Sequence, residues 1–214
     1  MTRRSGARRR PRSSVRGLTH LDTRGRARMV DVGDKPETVR EAVARGEVGM
    51  TRAALRAVTS RSARKGDALA VAQVAAIAAA KRTWELVPLC HAIPLTGVSV
   101  DLTPDIRRSC VQIEARVRTV GRTGAEMEAL VAVAVAGLTV YDMLKAIERG
   151  MVIRRIRLVR KTGGKSGTYT RAGESLLVAP ARAMRMRGGL GRRAAKTSRR
   201  PAGAPAREAL GRRG

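Results

Sequence analysis

Asp142 and Lys145 stand three residues apart in TVYDMLKAIER, a spacing that sets a carboxylate beside an ammonium on one helix face. Held against a substrate, such a pair can move protons; left at a surface, it is an ordinary ion pair. Earlier in the same apolar stretch, Glu126 and Glu128 fall in the first turn, where the helix dipole favours carboxylates and capping accounts for one of them. Glu128 and Asp142 are fourteen residues apart, and an unbroken helix would separate them by about 21 Å. If both serve one compact site, they come from different subunits.

Three further clusters could handle anions or orient a ligand. Lys65, Gly66 and Asp67 open a long helical pattern, where free backbone N–H groups attract an anion, although an Asp67 cap beside a solvated lysine fits equally. In KRTWELVPLCHAIPL, Cys90 and His91 lie between Pro88 and Pro94. His91 is either a satisfied structural group or is held toward a ligand by its rigid flanks. Cys90 reads better as a buried thiol than as a nucleophile, because nothing in the sequence activates it. RKTGGKSGTY sets Lys161 and Lys165 around Gly163, Gly164 and Gly167, either as a phosphate-binding loop or as a flexible basic one. It is not a Walker motif, since Val159 stands where the first glycine would fall. Asp31 interrupts an apolar pair, Val30 and Val32, in MVDVGDK. No local set of ligands suits zinc, so no protein metal site is expected.

The elements that must position these groups follow from periodicity. Residues 67–86 are strong helix formers between Asp67 and Pro88, and residues 125–149 form a second long helix that Gly150 should stop. GVSVDLT (97–103) and VQIEARVRT (111–119) alternate and are joined by PDIRRS, which predicts a hairpin with one wet face. VIRRIRLV supplies a further strand, EVGMT (47–51) a short one, and PETVREAVAR (36–45) reads as a helix with Pro36 in its first turn. The resulting order is α+β: a ferredoxin-like split βαβ sandwich, an antiparallel sheet with two long helices on one face. The other sheet face has no helices left to cover it, and the two helices are rich in alanine, so neighbouring subunits are expected to complete the burial.

Composition bounds the rest. The chain has 214 residues, one tryptophan, two tyrosines and no phenylalanine, so one domain with a core of Ala, Val, Leu and Ile is expected. Its formal charge is +28, of which residues 1–17 carry +7 and residues 180–214 carry +10. Both ends are Arg-rich without apolar periodicity and are expected to be disordered tails around a domain at 18–179. The basic opening is not followed by an apolar stretch, and no apolar run reaches the roughly 18 residues needed to span a bilayer, so neither export nor a membrane is indicated. Two cysteines are too few for a disulfide framework, and the cytoplasm is the expected compartment.

LTHLD, MVDV, KGD, AAKRTWELVPLCH, GRTGAEMEALVAVAVAGLTVYDMLKA, MVI and KTGGKSG occur in that order over about residues 18 to 170. This string resembles the molybdenum cofactor biosynthesis protein C family, the cyclic pyranopterin monophosphate synthases. The resemblance implies a ferredoxin-like fold assembled as a homo-hexamer, a trimer of dimers, with active sites at subunit interfaces. It implies conversion of 3′,8-cyclo-7,8-dihydroguanosine 5′-triphosphate into cyclic pyranopterin monophosphate with release of diphosphate. Carried over residue by residue, it makes Asp142, Lys145 and Lys65 catalytic. It places Leu89, Cys90, His91, Met127 and Glu128 on the substrate, together with Asp31, Glu126, Lys161 and Lys165. No cofactor is implied, and Mg²⁺ would come with the substrate phosphates. The sequence departs from the family before its lysine, where Ala63 and Arg64 replace the histidines often found there. The Arg-rich ends lie outside the pattern.

A basic nucleic-acid-binding protein is the competing class, favoured by the +28 charge. Two features count against it: most of the excess lies in the ends, and the core lacks the aromatic platforms of single-strand binders. Nonspecific polyanion binding by the tails remains compatible with an enzymatic core.

Overall fold

A core without phenylalanine can close only if its backbones approach one another, and glycine and alanine set that approach here. The computed structural model describes residues 24–60 and 66–174. Lys65, Ala63 and Arg64, and the ends 1–17 and 180–214, lie outside the described residues. The chain runs through β1 (Thr38–Gly49), α1 (Arg52–Thr59), α2 (Ala68–Lys81), α3 (Thr83–Leu86), β2 (Leu95–Asp105), β3 (Cys110–Gly121), α4 (Glu126–Leu144), β4 (Val152–Thr162) and β5 (Tyr169–Thr170). The sheet is antiparallel throughout, in the order β2-β3-β1-β4-β5. Both long helices lie on one face, α4 across β1, β3 and β4 and α2 beside it over β2.

Small residues bring these layers together. Along α2, Ala72, Ala76 and Ala80 form a buried stripe at the i, i+4 spacing, facing a similar surface of Ala129, Ala132, Val133 and Ala136 on α4. At Gly46 in β1 an added Cβ would sit 2.7 Å from Val133 Cγ1, so glycine permits α4 to seat on the central strand. By length and composition α4 could cross a membrane. Here Ala129, Ala132, Val133, Ala136 and Val140 on it are buried in the core.

The segment PETVREAVAR is not a helix. Residues 38–45 belong to β1, which pairs with β3 on one side and β4 on the other. Glu, Arg and Ala favour a helix locally, but two flanking ladders outweigh a propensity worth a few tenths of a kcal/mol per residue. The alternation then becomes visible: Ala42, Ala44 and Val48 go to the helical layer, and Glu41, Arg45 and Glu47 to the other face.

Two helix limits also move. The pattern expected over 67–86 breaks at Arg82, whose N–H bonds Ala79 O in a tightened turn while Thr83 Oγ1 donates to Ala80 O at 3.1 Å. The second helix ends at Leu144, not near Gly150. Both Ile147 N–H and Glu148 N–H turn back to Leu144 O, and the Glu148 carboxylate accepts from Thr51 N–H at 2.7 Å and Thr51 Oγ1 at 2.8 Å. That bond ties the end of α4 to the start of α1, and further helical turns would break it.

The helix-free face of the sheet is paved with interlocked charge. Glu47, almost fully buried, accepts from Arg108 Nη2 at 2.6 Å and Arg154 Nε at 2.9 Å. Glu41 accepts from Arg116 Nη1 at 3.0 Å and Arg118 Nε at 2.6 Å. Arg45 holds Glu114 at 2.6 Å and Glu174 at 3.1 Å, and Glu174 also accepts from Arg157. Burial raises the Glu41 pKa, but hydrogen bonds and charge from Arg118 and Arg116 outweigh it and leave the group below its ordinary value.

Candidate active site

A pocket of about 550 Å³ opens where the loop after α3 meets the first turn of α4. Pro88 stops the helical pattern, and the following loop carries Leu89, Cys90 and His91 to one wall. Glu126, Met127 and Glu128 form the other, on a helix end whose N-cap residue, Ala125, supplies no side-chain hydrogen bond. Such an end leaves backbone donors available to a ligand. This volume suits a small organic molecule.

Six of the substrate residues expected from the sequence, Leu89, Cys90, His91, Glu126, Met127 and Glu128, therefore meet in one cavity. Glu128 is buried, and its carboxyl pKa is pushed up to about 7. Burial is the main cause, its own backbone N–H opposes the rise, and the Glu126 charge adds to it. Burial and the Glu128 charge likewise raise the Cys90 thiol, which makes it a poorer nucleophile, but the residue is only partly buried and lines the pocket, so the expectation of a buried thiol is not met.

The end of β4 brings a cation to the rim. Lys161 Nζ lies 3.8 Å from Glu126 Oε1 and donates to Ser166 Oγ. The turn that follows is packed around Arg40, which donates from Nε to Gly121 O at 2.9 Å and from Nη2 to Arg122 O at 3.0 Å. Gly163 and Gly164 have φ of +88° and +72°, and an added Cβ would lie 2.2 Å from Val39 O at the first and 2.2 Å from Arg40 Nη1 at the second. Both glycines are thus required by conformation and by space. Lys165 is exposed on the same turn and does not line the pocket.

Asp31 also stays outside the lining. Its Oδ1 accepts from Gly33 N–H at 2.8 Å and shapes a turn, while its neighbours Val30 and Val32 reach the pocket. Lys35 and Thr123 line it as well and were not singled out by spacing or motif. The available signal for Lys35 was its place in MVDVGDK, three residues after Val32. Asp67 caps α2 through Leu69 N–H and Ala70 N–H, each at 3.1 Å, so the plainer reading of that residue holds. Lys65 lies outside the described residues.

Asp142 and Lys145 sit at the far end of α4. Their side chains meet at 2.7 Å, both half exposed, and the hydrogen bond and charge of Asp142 raise the Lys145 pKa. Helix α4 is continuous from Glu126 to Leu144, so no bend brings Asp142 toward Glu128 within one chain. Among the described residues no group of three or more His, Cys, Asp or Glu is placed to hold a metal ion.

A family model described as the MoaC family matches residues 29–164. The chain belongs to the MoaC family. Three curated relatives carry the name cyclic pyranopterin monophosphate synthase. That of Thermomicrobium roseum is 64% identical over 154 residues, covering 72% of this chain and 93% of the relative. That of Pelotomaculum thermopropionicum is 60% identical over 158 residues, 74% of this chain and 93% of the relative. That of Roseiflexus sp. is 61% identical over 152 residues, 71% of this chain and 96% of the relative. The MoaC match takes in both ends of α4 and the loop carrying His91, and it stops at Gly164.

Proposed function

We infer that this chain converts 3′,8-cyclo-7,8-dihydroguanosine 5′-triphosphate into cyclic pyranopterin monophosphate with release of diphosphate. This is an early step in molybdenum cofactor biosynthesis. The observation that carries the reading is the pocket that gathers Leu89, Cys90, His91, Met127 and Glu128, in a chain 64% identical to a synthase of that name.

The reaction opens a purine-derived ring, rebuilds it as a pyranopterin and closes a cyclic phosphate. Each stage moves protons, so it needs groups that hold different protonation states at one pH. Asp142 keeps Lys145 charged, and the pair can present an acid and a base to neighbouring atoms. The triphosphate needs cations, and the departing diphosphate needs them more as charge develops. Lys161 at the rim, Lys165 on its turn and Lys65 are assigned that task. Any Mg²⁺ would be held by the substrate phosphates.

The site is assigned to two subunits, one supplying the wall of His91 and Glu128 and the other Asp142 and Lys145. Support comes from the unbroken α4, which keeps the two sets about 21 Å apart. Exposed apolar residues on the helical layer, Val71 and Val74 of α2 and Leu138 of α4, are available for subunit contact. A homo-hexamer built as a trimer of dimers, in the cytoplasm, completes the assignment. Two free cysteines, Cys90 and Cys110, suit a reducing compartment.

Purified full-length protein given the cyclic GTP derivative should release diphosphate and form the cyclic monophosphate in equal amounts. Intact oligomer that produces neither would refute the assignment. The terminal charge supports a side property, salt-sensitive polyanion binding, since residues 1–17 and 180–214 hold seventeen of the twenty-eight net charges. Removing them should abolish most such binding and leave turnover in place.

A further inference from the structure

Past Leu144 the chain loses its apolar anchors: none of residues 145–150 is buried, and burial resumes at Met151. Lys145 opens that stretch. Glu148 N–H still bonds Leu144 O, four residues back as in a helix, so Glu148 stands about one turn beyond the end of α4. Three residues separate it from Lys145, the same spacing at which Asp142 stands on the other side. Groups so spaced are neighbours on a helical turn, and Lys145 therefore has a second carboxylate within reach.

That carboxylate is engaged elsewhere. One of its oxygens, Oε2, accepts from both Thr51 N–H at 2.7 Å and Thr51 Oγ1 at 2.8 Å. Thr51 is a firm base for this clamp, because Ala54, Leu55 and Val58 seat α1 in the core and Thr51 Oγ1 also accepts from Ala54 N–H. The clamp suits the helix too: α1 has no acid in its own first turn, and Glu148 brings a negative charge to its N-terminus. Lys145 Nζ meanwhile lies 2.7 Å from Asp142 Oδ1.

We propose that Thr51 is a positioning residue for the reaction: it holds the Glu148 carboxylate away from Lys145, so that the ammonium stays turned to Asp142. This rests on the role assigned to Asp142 and Lys145. Released from Thr51, Glu148 needs only a turn of its side chain to share the ammonium, and Lys145 is then drawn between two carboxylates, away from the atoms it serves.

The test uses full-length protein and a suppressor. Thr51 has φ of −69°, which proline holds by itself, and its N–H is spent on Glu148, so Thr51→Pro removes both donors without changing the backbone angle. Thr51→Pro should lower kcat about tenfold or more, measured well below the melting temperature. Adding Glu148→Gln removes the competing charge, and the double variant should return to within about twofold of Glu148→Gln alone. A merely structural Thr51 gives a double variant no better than Thr51→Pro, and that result, or an unchanged kcat in Thr51→Pro, overturns the proposal. Thr51→Val, which removes only the hydroxyl, is compared in the same way and decides the matter if the proline variant fails to assemble.

A second readout needs no substrate: the rate at which an amine-reactive acylating reagent labels Lys145, followed by peptide mass mapping. Asp142 and Tyr141 of α4 already favour the charged form of Lys145, and Arg149 opposes it. A second carboxylate favours it further, so labelling should slow about threefold in Thr51→Pro and recover in the double variant. Equal rates in wild type, single and double variants overturn the proposal. Wild type that turns over nothing refutes the assigned activity, while the labelling comparison still decides whether Thr51 keeps Glu148 from Lys145.

Discussion

Asp142 Oδ1 lies 2.7 Å from Lys145 Nζ at the C-terminal end of α4, outside the pocket and half exposed on both sides. A surface pair with that geometry contributes little to stability and nothing to turnover. Asp142→Asn and Lys145→Ala should instead lower kcat by about a hundredfold or more, with oligomer mass and melting temperature little changed. Near-normal kcat in either variant removes the pair from the mechanism.

Sharing of the site between subunits predicts complementation. Glu128→Ala and Asp142→Asn enzymes, each poor at substrate below KM, should recover activity when mixed under conditions of subunit exchange. Random pairing leaves about one quarter of the sites with both ends intact. Mass spectrometry first verifies that mixed oligomers exist; mixed oligomers that stay inactive contradict a shared site.

The charged sheet face predicts acid sensitivity of a definite sign. Arg118 and Arg116 hold Glu41 below its ordinary pKa against the effect of burial, and a hydrogen bond from Arg157 does the same for Glu174. A depressed carboxylate stabilises the fold above its unfolded pKa, and that contribution is lost as pH falls through the folded value. Melting temperature should therefore drop as the solution is taken below about pH 4. Glu41→Gln should flatten part of the drop and lower stability near neutrality, measured by thermal melts across the same range.

At the basic turn the two glycines should not be equivalent. Gly163→Ala drives a Cβ to 2.2 Å from a backbone carbonyl, whereas at Gly164 the obstruction is the end of the Arg40 side chain, which can swing aside. Both substitutions meet the strain of positive φ, about 1 kcal/mol or more. Gly163→Ala should lose clearly more stability than Gly164→Ala, and Gly164→Ala should mainly raise KM by displacing Arg40 and Lys161. Equal melting temperatures for the two variants would contradict the packing described for this turn.

The parts of the fold legible in the sequence were those whose local pattern and tertiary role agree. Val98, Val100, Ile113 and Val117 alternate as a half-wet hairpin must, and Asp67 announces α2 by capping it. Only the end of β1, within EVGMT, was read as a strand; the rest was illegible because its Glu, Arg and Ala residues favour a helix, and only the ladders to β3 and β4 make it a strand. The ion pairs of Glu41, Arg45 and Glu47 depend on that same register and could not be seen without it. In the site, the grouping of Leu89, Cys90 and His91 with Met127 and Glu128 came from the family resemblance, since no spacing relates two segments so far apart. Lys35 escaped notice for the same reason, and the terminal position of Asp142 on α4 was readable because helix rise is constant.

Because α4 is one uninterrupted helix with chemistry at both ends, it carries phase as well as length. A single-residue insertion between Ala129 and Val140 would rotate Asp142 and Lys145 by about 100° relative to Glu128 while moving them only about 1.5 Å. It would also turn the Ala132 and Ala136 seam away from α2. Length variation among relatives should therefore be absent from this helix.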